Sequence, residues 1–258
     1  MDAYERFLND LKNKLGLDLS GYKRKQMERR ISSLMKYLEL ENSYEKLIKI
    51  LLRDEDIYHS FLDRITINVS EFFRNPVQWE ILRKKMMPLL LSPDKRLYIW
   101  SAGCASGEEP YSLAMSLMGV FPWQKYVLWA TDCDQVVLEK AKQGVYPPNS
   151  VQTIPEIFLK QFLVFKDGEY FVKPELKRSV LFEKHDLLKD EFPKQMDLIV
   201  CRNVVIYFKE EIKDELYLKF YKALRPGGIL FVGCTEQIIQ ARKIGFESIS
   251  PFFYRRSL

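Results

Sequence analysis

The chain has 258 residues, 47% hydrophobic and 29% charged, so it can bury a sizeable core and is not disordered by composition. Its net charge of +5 is too small to indicate a dedicated nucleic-acid binder. No stretch approaches the roughly 18 to 20 uninterrupted apolar residues of a membrane span, and the acidic start MDAYERFLND lacks the pattern of an export signal. We therefore expect a cytoplasmic protein with no nucleic-acid partner and no direct membrane insertion.

The first part of the chain is predicted to be helical as far as about residue 91. One predicted helix carries an apolar stripe at Met27, Ile31, Leu34 and Leu38. The irregular segment NVSEFFRNP interrupts the helical pattern before a further helix over about 77–90. We predict an all-α N-terminal domain and linker over residues 1–75.

From about residue 96, short apolar segments alternate with helical ones. The predicted strands are RLYIWSA, YVLWATD, SVLFEKHD, MDLIVCRN and GILFVGC, and GFESISPFFYRR adds one or two more at the end. This alternation predicts an α/β, Rossmann-like domain with a parallel sheet over residues 76–258. Two β-like runs around KDG predict a small antiparallel β subdomain at about 160–178.

The loop SAGCASGEEPYS follows the first predicted strand and opens a helix, where a nucleotide-binding fold holds its ligand. It contains Gly103 and Gly107 but places two carboxylates, Glu108 and Glu109, where a phosphate would meet bare N–H groups. Carboxylates are also favourable at a helix start, and this structural reading is preferred for Glu109 alone. The loop suits a cationic adenosyl ligand, S-adenosylmethionine, which has an ammonium, a sulfonium and no phosphate.

Two further strand ends supply candidate contacts for adenosine. Asp132 ends the second strand, where an acidic residue binds both ribose hydroxyls in Rossmann-like units. The alternative is a helix N-cap, but Asp134 is better placed for that role. Asp186 and Leu187, after the third strand, can contact adenine or can be a turn residue and a core residue; both readings stay open.

The fourth strand ends in CRNVVIYF, whose polar residues are costly to bury without partners. Asn203 is predicted to belong to the site, and Arg202 to the site or to a buried structural pair. Tyr207 lies in the apolar run VVIYF, so a core position is open for it. The four cysteines have no C-x-x-C spacing and the chain has two histidines, so we expect small buried thiols and no metal site.

Together these motifs resemble chemotaxis receptor glutamate O-methyltransferases, the CheR family, over nearly the whole chain. NVSEFFR is similar to the family's N-x-[ST]-x-F-[FY]-R signature, SAGCASGEEPYSLAM to its cofactor loop, and CRNVVIYF to its fourth-strand motif. GCTEQ after the fifth strand is also similar. Three differences stand out: Ser70 replaces a frequent Thr, AGCASG varies the small-residue loop, and Asp186 stands where many members have Asn.

The resemblance implies the residues of the site. Cofactor contacts are expected from Asn68, Ser70, Arg74, Gly103, Glu108, Asp132, Asp186, Leu187, Arg202 and Asn203. Arg74 and Tyr207 are expected near the transferred methyl group, as the catalytic pair. The reaction implied is methyl transfer from S-adenosylmethionine to receptor glutamates, which leaves S-adenosylhomocysteine.

The resemblance also implies a partner, the cytoplasmic helical methylation region of chemoreceptors. A basic face would suit such a glutamate-rich bundle, and the candidates are Lys23, Arg24, Lys25, Arg29 and Arg30. The alternative is a merely solvated face. In some relatives the antiparallel insertion docks a peptide at the receptor's C-terminus, a question that the sequence leaves open here. We expect a monomer.

Three other functions compete with this reading. The first is a methyltransferase of the same fold with a different substrate, and the second is a non-catalytic module that binds the cofactor as a sensor. The retention of Arg74 and Tyr207 beside the cofactor residues argues against the sensor. The third, a nicotinamide dehydrogenase, would need the G-x-G-x-x-G that this loop lacks.

Overall fold

A computed structural model describes residues 1–65 and 70–257. Its internal contacts divide the chain into two compact units. One unit contains the N-terminal helices together with the later segment Tyr207–Lys213, and the other contains the rest of the chain. Among the described residues, no helix is both long and apolar enough to cross a bilayer.

The helical unit forms because its helices have clear starts, stops and apolar stripes. Its helices are α1 (Ala3–Leu15), α2 (Arg24–Tyr37), α3 (Tyr44–Leu51) and α4 (Glu55–Ile65). Asp2 and Glu5 form a capping box at the start of α1, and Gly16 ends it in a left-handed conformation with φ of 69°. In α2, Met27, Ile31 and Leu34 are buried, as their spacing predicts.

The segment Tyr207–Lys213 belongs to the helical unit because it pairs with the residues just before α2. Tyr22 and Phe208 form an isolated antiparallel bridge, with ring centroids 4.9 Å apart. The N–H of Lys23 donates to the Tyr207 carbonyl (2.8 Å), and the N–H of Lys209 donates to the Gly21 carbonyl (2.9 Å). The sequence pattern did not predict this assignment.

The helices that begin after residue 75 are α5 (Pro76–Ile81), α6 (Met87–Leu90), α7 (Glu108–Val120), α8 (Gln135–Gln143), α9 (Glu156–Phe162), α10 (Pro174–Arg178), α11 (Glu210–Ala223) and α12 (Ala241–Ile244). A π-helical turn, Leu82–Met86, joins α5 to α6 without a break. The strands are β1 (Leu97–Ala102), β2 (Tyr126–Asp132), β3 (Val145–Tyr146), β4 (Leu163–Lys166), β5 (Glu169–Val172), β6 (Leu181–Lys184), β7 (Met196–Cys201), β8 (Leu224–Val232), β9 (Phe246–Ser250) and β10 (Phe253–Arg256).

The main sheet of the described residues is seven-stranded, in the order β6-β2-β1-β7-β8-β10-β9. β6, β2, β1, β7 and β8 are parallel neighbours, and the last two strands of the chain run antiparallel. The central strand β7 is buried at every position, and its residues are apolar except Asp197, which accepts hydrogen bonds from the N–H of Tyr98 and from Arg225. The predicted α/β, Rossmann-like fold, preceded in the sequence by an all-α N-terminal domain, is confirmed.

The antiparallel insertion is confirmed as a small sheet of order β3-β5-β4. Asp167 and Gly168 have φ of 52° and 85°, which makes KDG the tight hairpin turn that its sequence predicts. The short strand β3 was not predicted. The domain limits 1–75 and 76–258, and the β subdomain limits 160–178, stay predictions.

Candidate functional site

The candidate site lies at the carboxyl edge of the parallel strands. β6, β2, β1 and β7 are adjacent, so their carboxyl ends meet at one edge, where open α/β sheets bind ligands. The structure brings there most of the residues singled out in the sequence: Gly103 after β1, Asp132 at the end of β2, Asp186 after β6, and Arg202 and Asn203 after β7.

The loop between β1 and α7 needs small residues because protein atoms approach it closely. Gly103 has φ of 83°, and a Cβ there would lie 2.5 Å from a methyl group of Val204. Gly107 has φ of 96°, and a Cβ there would lie 2.9 Å from Ala141. The N–H of Ala105 donates to Asp132 Oδ2 (2.9 Å), so the loop is fixed to the end of β2.

Asp132 is a partly buried carboxylate that keeps capacity for a ligand. Oδ2 accepts from Ala105, and Oδ1 accepts from the N–H of Asp134 (3.0 Å). The Cys133 thiol also bonds to this carboxylate, whose two oxygens have about four lone-pair sites in all, so acceptor capacity remains for the ribose of a ligand. Burial raises the pKa of Asp132. Asp134 caps α8 through Val136 and Val137, as the sequence predicts.

Glu108 is buried at the start of α7, with a relative exposure of 5%. The Ser106 hydroxyl donates to its carboxylate, at 3.0 Å from Oε1 and 2.8 Å from Oε2, and the Ser70 hydroxyl also bonds to it. Burial raises its pKa. Among the described residues its hydrogen-bond partners are uncharged, namely these hydroxyls and its own backbone N–H, so a cationic group such as an ammonium fits this carboxylate.

Glu109 has a structural environment. The Ser101 hydroxyl donates to Oε1 (2.8 Å), and Arg202 Nη1 lies 3.7 Å from Oε2. Burial raises the pKa of Glu109 to about 7, against the opposing effect of the Arg202 charge. The structural reading preferred for Glu109 is therefore supported by its contacts.

Arg202 joins β7 to the signature loop 70–75. Its Nη2 donates to the Arg74 carbonyl (2.8 Å) and to Asn75 Oδ1 (3.0 Å), and its guanidinium lies 4.7 Å from the centroid of the Phe231 ring. Burial lowers its pKa. Its Nε is buried with no hydrogen-bond partner among the described residues, so one donor remains for a ligand acceptor. A cofactor contact from Arg202 stays a prediction.

Asn203 adopts a left-handed conformation, φ 59°, that the buried carboxylate of Glu236 stabilises. Glu236 accepts the N–H groups of Asn203 (2.7 Å), Val204 (2.9 Å), Ile206 (3.3 Å) and Gly233 (2.7 Å). Sequence reasoning did not assign Glu236 a role. Its position in GCTEQ, just after a strand that ends at this edge, was the available signal.

The signature loop carries Ser70 and Arg74. The N–H of Phe73 donates to Ser112 Oγ (3.0 Å), and the Arg74 carbonyl also accepts from Trp79 Nε1 (3.0 Å). The positive charge of Arg74 lies close enough to Glu109 to oppose the rise of its pKa. Ser112, within α7, was also missed in the sequence. Asn68 lies outside the described residues.

Asp186 uses its side chain in its own turn. Oδ1 accepts the N–H of Leu188 (2.9 Å), and Lys189 Nζ lies 3.4 Å from Oδ2. Leu187 is buried, with 7% exposure. The turn and core readings that the sequence left open are therefore observed, and the adenine contacts of both residues stay predictions.

Tyr207 and the basic residues of α2 lie in the helical unit. The Arg30 guanidinium carbon is 5.2 Å from the centroid of the Tyr207 ring, and Arg30 Nη1 donates to the Ile65 carbonyl (2.8 Å). Arg24 pairs with Asp2 (2.6 Å) and Glu28 (2.9 Å). The five basic residues do not share one environment: Lys23 pairs with Glu210 (3.1 Å), whereas Lys25 and Arg29 are exposed.

The cysteines differ from one another in burial. Cys104 and Cys201 are buried, as predicted, whereas Cys133 is exposed, so the expectation of a buried thiol is wrong there. Cys133 directly follows the last residue of β2, where the chain leaves the sheet. Among the described residues no group of His, Cys, Asp and Glu could hold a metal ion.

Comparison with known proteins identifies the class. The model "CheR methyltransferase, SAM binding domain" matches residues 68–251, and "CheR methyltransferase, all-alpha domain" matches residues 2–66. The carboxylate-lined edge and these matches define an S-adenosylmethionine-dependent methyltransferase. The chain belongs to the CheR methyltransferase family. The predicted resemblance, enzyme class and use of S-adenosylmethionine are thereby confirmed.

Three relatives that match this chain over most of their own length are chemotaxis protein methyltransferases by name. "Chemotaxis protein methyltransferase" of Listeria monocytogenes is 41% identical over 255 residues, which cover 97% of this chain and 96% of the relative. A protein of the same name from Borreliella burgdorferi is 33% identical over 270 residues, with coverages of 99% and 94%. "Chemotaxis protein methyltransferase 1" of Pseudomonas aeruginosa is 30% identical over 248 residues, with coverages of 91% and 90%.

Proposed function

We propose that this protein transfers the methyl group of S-adenosylmethionine to glutamate side chains in the cytoplasmic methylation region of chemoreceptors, forming γ-methyl esters. The observation that carries the cofactor half of the proposal is the buried Glu108, whose described hydrogen-bond partners are all uncharged. The acceptor half is supported by the relatives, which are chemotaxis protein methyltransferases over nearly their whole length.

In this proposal Glu108 binds the ammonium of the cofactor, and Asp132 binds its ribose through the acceptor capacity that its protein partners leave. When bound, S-adenosylmethionine supplies a methyl group on a positively charged sulfur. The hydrogen bonds that fix the loop at Gly103 and Ala105 to β2 hold these two carboxylates in a constant relation. In this proposal the ammonium and the ribose are held at the same sheet edge by two carboxylates that follow neighbouring strands.

No general base is required, because the pKa of a glutamate side chain is about 4.3 and the acceptor is ionised at neutral pH. Catalysis then depends on in-line positioning, which can supply about 7 to 11 kcal/mol. Arg74 is proposed to orient the acceptor carboxylate or the cofactor carboxylate through its planar fork of donors. Tyr207 is proposed to border the transferred methyl group.

The partner is proposed to be the glutamate-rich helical region of the receptor, bound in the cytoplasm. The exposed Lys25 and Arg29 provide two cations one helical turn apart on α2 for such a surface. The monomeric state and the absence of nucleic-acid partners stay predictions, and docking of a receptor C-terminal peptide stays open.

The test uses methyl-labelled S-adenosylmethionine with purified cytoplasmic fragments of chemoreceptors from the same organism. We expect label on the receptor that mild alkali releases as volatile methanol, because carboxyl methyl esters are base-labile. Label that resists alkali would mean a nitrogen or sulfur acceptor and would refute the glutamate ester. Cofactor binding without any transfer would favour another substrate or a sensor function.

A further inference from the structure

The backbone that carries Arg74 is strained. Phe73 has φ of 50° and Asn75 has φ of 60°, in the left-handed region that a bulky residue such as Phe rarely adopts. Such a conformation is costly for Phe and persists only where the surroundings impose it. The residues that pack against this loop therefore fix the backbone position from which the Arg74 side chain extends.

One peptide group of the loop is held at both ends. The N–H of Phe73 donates to Ser112 Oγ (3.0 Å), and the carbonyl of Phe72 accepts from the hydroxyl of Thr153. These two atoms belong to the same planar unit, the Phe72–Phe73 peptide, so its rotation is fixed from two sides. Ser112 lies in α7, whereas Thr153 lies in the segment between β3 and α9.

The strand and the helix that flank this segment pack against the two aromatic rings of the loop. Tyr146, in β3, packs edge-on against Phe72 with ring centroids 4.8 Å apart. Phe158, in α9, stacks on Phe73 with centroids 5.7 Å apart and an interplanar angle of 25°. Residues 145–158, which lead into the antiparallel hairpin, therefore contact the loop through one hydrogen bond and two ring pairs.

The Phe73–Phe158 pair is closed in on two further sides. The Arg83 guanidinium, in the π-helical turn, lies 5.6 Å from the Phe73 centroid and 6.0 Å from the Phe158 centroid. Within α7, a Cβ at Gly119 would lie 2.6 Å from Phe158, so the absence of a side chain makes room for the ring. A pair packed in this way leaves little space for the loop to relax.

We infer that Thr153 is a positioning residue for Arg74, and that segment 145–158 supports the signature loop in addition to connecting the antiparallel sheet. Thr153 fixes the orientation of the Phe72–Phe73 peptide. That orientation determines the direction of the backbone at Arg74. The activity readout rests on the proposed function, whereas the effect on the loop can be measured without an acceptor.

The experiment compares three variants of the full chain. Thr153→Val keeps the shape but removes the donor, Thr153→Ser keeps the donor, and Ser179→Ala removes a comparable hydroxyl-to-carbonyl bond (Ser179 to Leu176, 2.7 Å) away from the loop. In Thr153→Val we expect receptor methylation with kcat lowered about tenfold or more, because small displacements near a reacting centre cost up to about a hundredfold. The KM for S-adenosylmethionine should rise by a smaller factor than kcat falls, because Glu108 and Asp132 lie outside this loop.

Hydrogen exchange followed by mass spectrometry supplies the second readout. We expect faster exchange of the amides of residues 72–75 in Thr153→Val, with little change elsewhere and near wild-type behaviour in Thr153→Ser and Ser179→Ala. Unchanged exchange and turnover in Thr153→Val would overturn the inference, as would equal losses in all three variants. If the wild type methylates no receptor, the proposed function fails, and the exchange result still decides the role of Thr153.

Discussion

Two adjacent glutamates at the start of α7 have opposite surroundings. Successive residues of a helix point about 100° apart, so neighbours in sequence face different parts of the fold. Glu108 meets the hydroxyls of Ser106 and Ser70, whereas Glu109 meets Ser101 and the Arg202 guanidinium. Glu108 is therefore available to a cationic ligand, whereas Glu109 is already bound to other groups of the protein.

Replacement of Glu108 by Gln tests this difference directly. The variant keeps the size of the side chain but removes the negative charge, so we expect S-adenosylmethionine affinity to fall about tenfold to a hundredfold, as for loss of a charged hydrogen bond. Isothermal titration calorimetry gives the affinity. Glu139→Gln, which removes an exposed carboxylate from α8, is the control. Equal affinities of wild type and Glu108→Gln would exclude Glu108 as the ammonium ligand.

Glu109 should instead affect how stability depends on pH. Burial raises its folded-state pKa to about 7 from an ordinary value of 4.5, so the folded state holds an extra proton between these values. The free energy of unfolding therefore falls as pH rises through this window. Glu109→Gln lacks this titration and should gain stability relative to wild type between pH 5 and pH 8, by up to about 3 kcal/mol.

Urea unfolding of both proteins at several pH values gives this difference. The other titrating groups are common to the two proteins, so their contributions largely cancel in the comparison. A difference in stability that stays constant from pH 5 to pH 8 would mean that Glu109 titrates near its ordinary value in the folded protein.

At the level of single elements, α2 presents basic residues to two different environments. Lys25 and Arg29 are exposed, whereas Arg30 is half-buried, with its guanidinium over the Tyr207 ring and one nitrogen bonded to the Ile65 carbonyl. Burial lowers the pKa of Arg30. The helix thus combines a solvent-facing cationic pair with a residue that packs on the candidate catalytic tyrosine.

This difference predicts separate kinetic effects for two neighbouring arginines. Arg29→Ala should raise the KM for receptor, whereas Arg30→Ala should mainly lower kcat, because it removes the contact with Tyr207. In a double-mutant cycle of Arg30→Ala with Tyr207→Leu, we expect a coupling of about 0.5 to 1 kcal/mol, the usual size of a cation–π contact. Strictly additive effects on kcat would show that Arg30 does not act through Tyr207.

At the scale of the whole molecule, a net charge of +5 predicts a salt-dependent encounter with an acidic partner. The KM for receptor should rise between 50 and 300 mM NaCl, and the double variant Lys25→Ala, Arg29→Ala should show a weaker dependence. Steady-state kinetics at saturating S-adenosylmethionine measure both. A KM for receptor that is insensitive to salt would mean that these charges do not contribute to recognition.

Much of the fold could be predicted because its signals are local. The alternation of short apolar strands with helices, the KDG turn and the stripe of Met27, Ile31 and Leu34 depend only on neighbouring residues. Glu108 and Asp132 could be located because each follows a strand, and parallel strands end at a common edge. Position in the chain was then enough to bring them together.

The supports of the site could not be predicted in this way. Apart from the bond between Glu236 and Gly233, the side chains of Glu236, Ser112 and Thr153 act on backbone groups 30 or more positions away in the chain, and such partners leave no periodic pattern. The turn of Asp186 and the burial of Arg202 were ambiguous because one polar residue at a strand end can satisfy the protein or a ligand. Only the observed hydrogen bonds distinguish these uses.

The pairing of Gly21–Lys23 with Tyr207–Lys209 has a consequence for domain exchange. The helical unit is assembled from two distant stretches of chain, so a gene fragment that ends at residue 65 omits part of it. Chimaeras that replace only the N-terminal helices would pair a foreign chain with the native segment Tyr207–Lys209. Functional recombination between relatives should therefore require both stretches to come from the same parent.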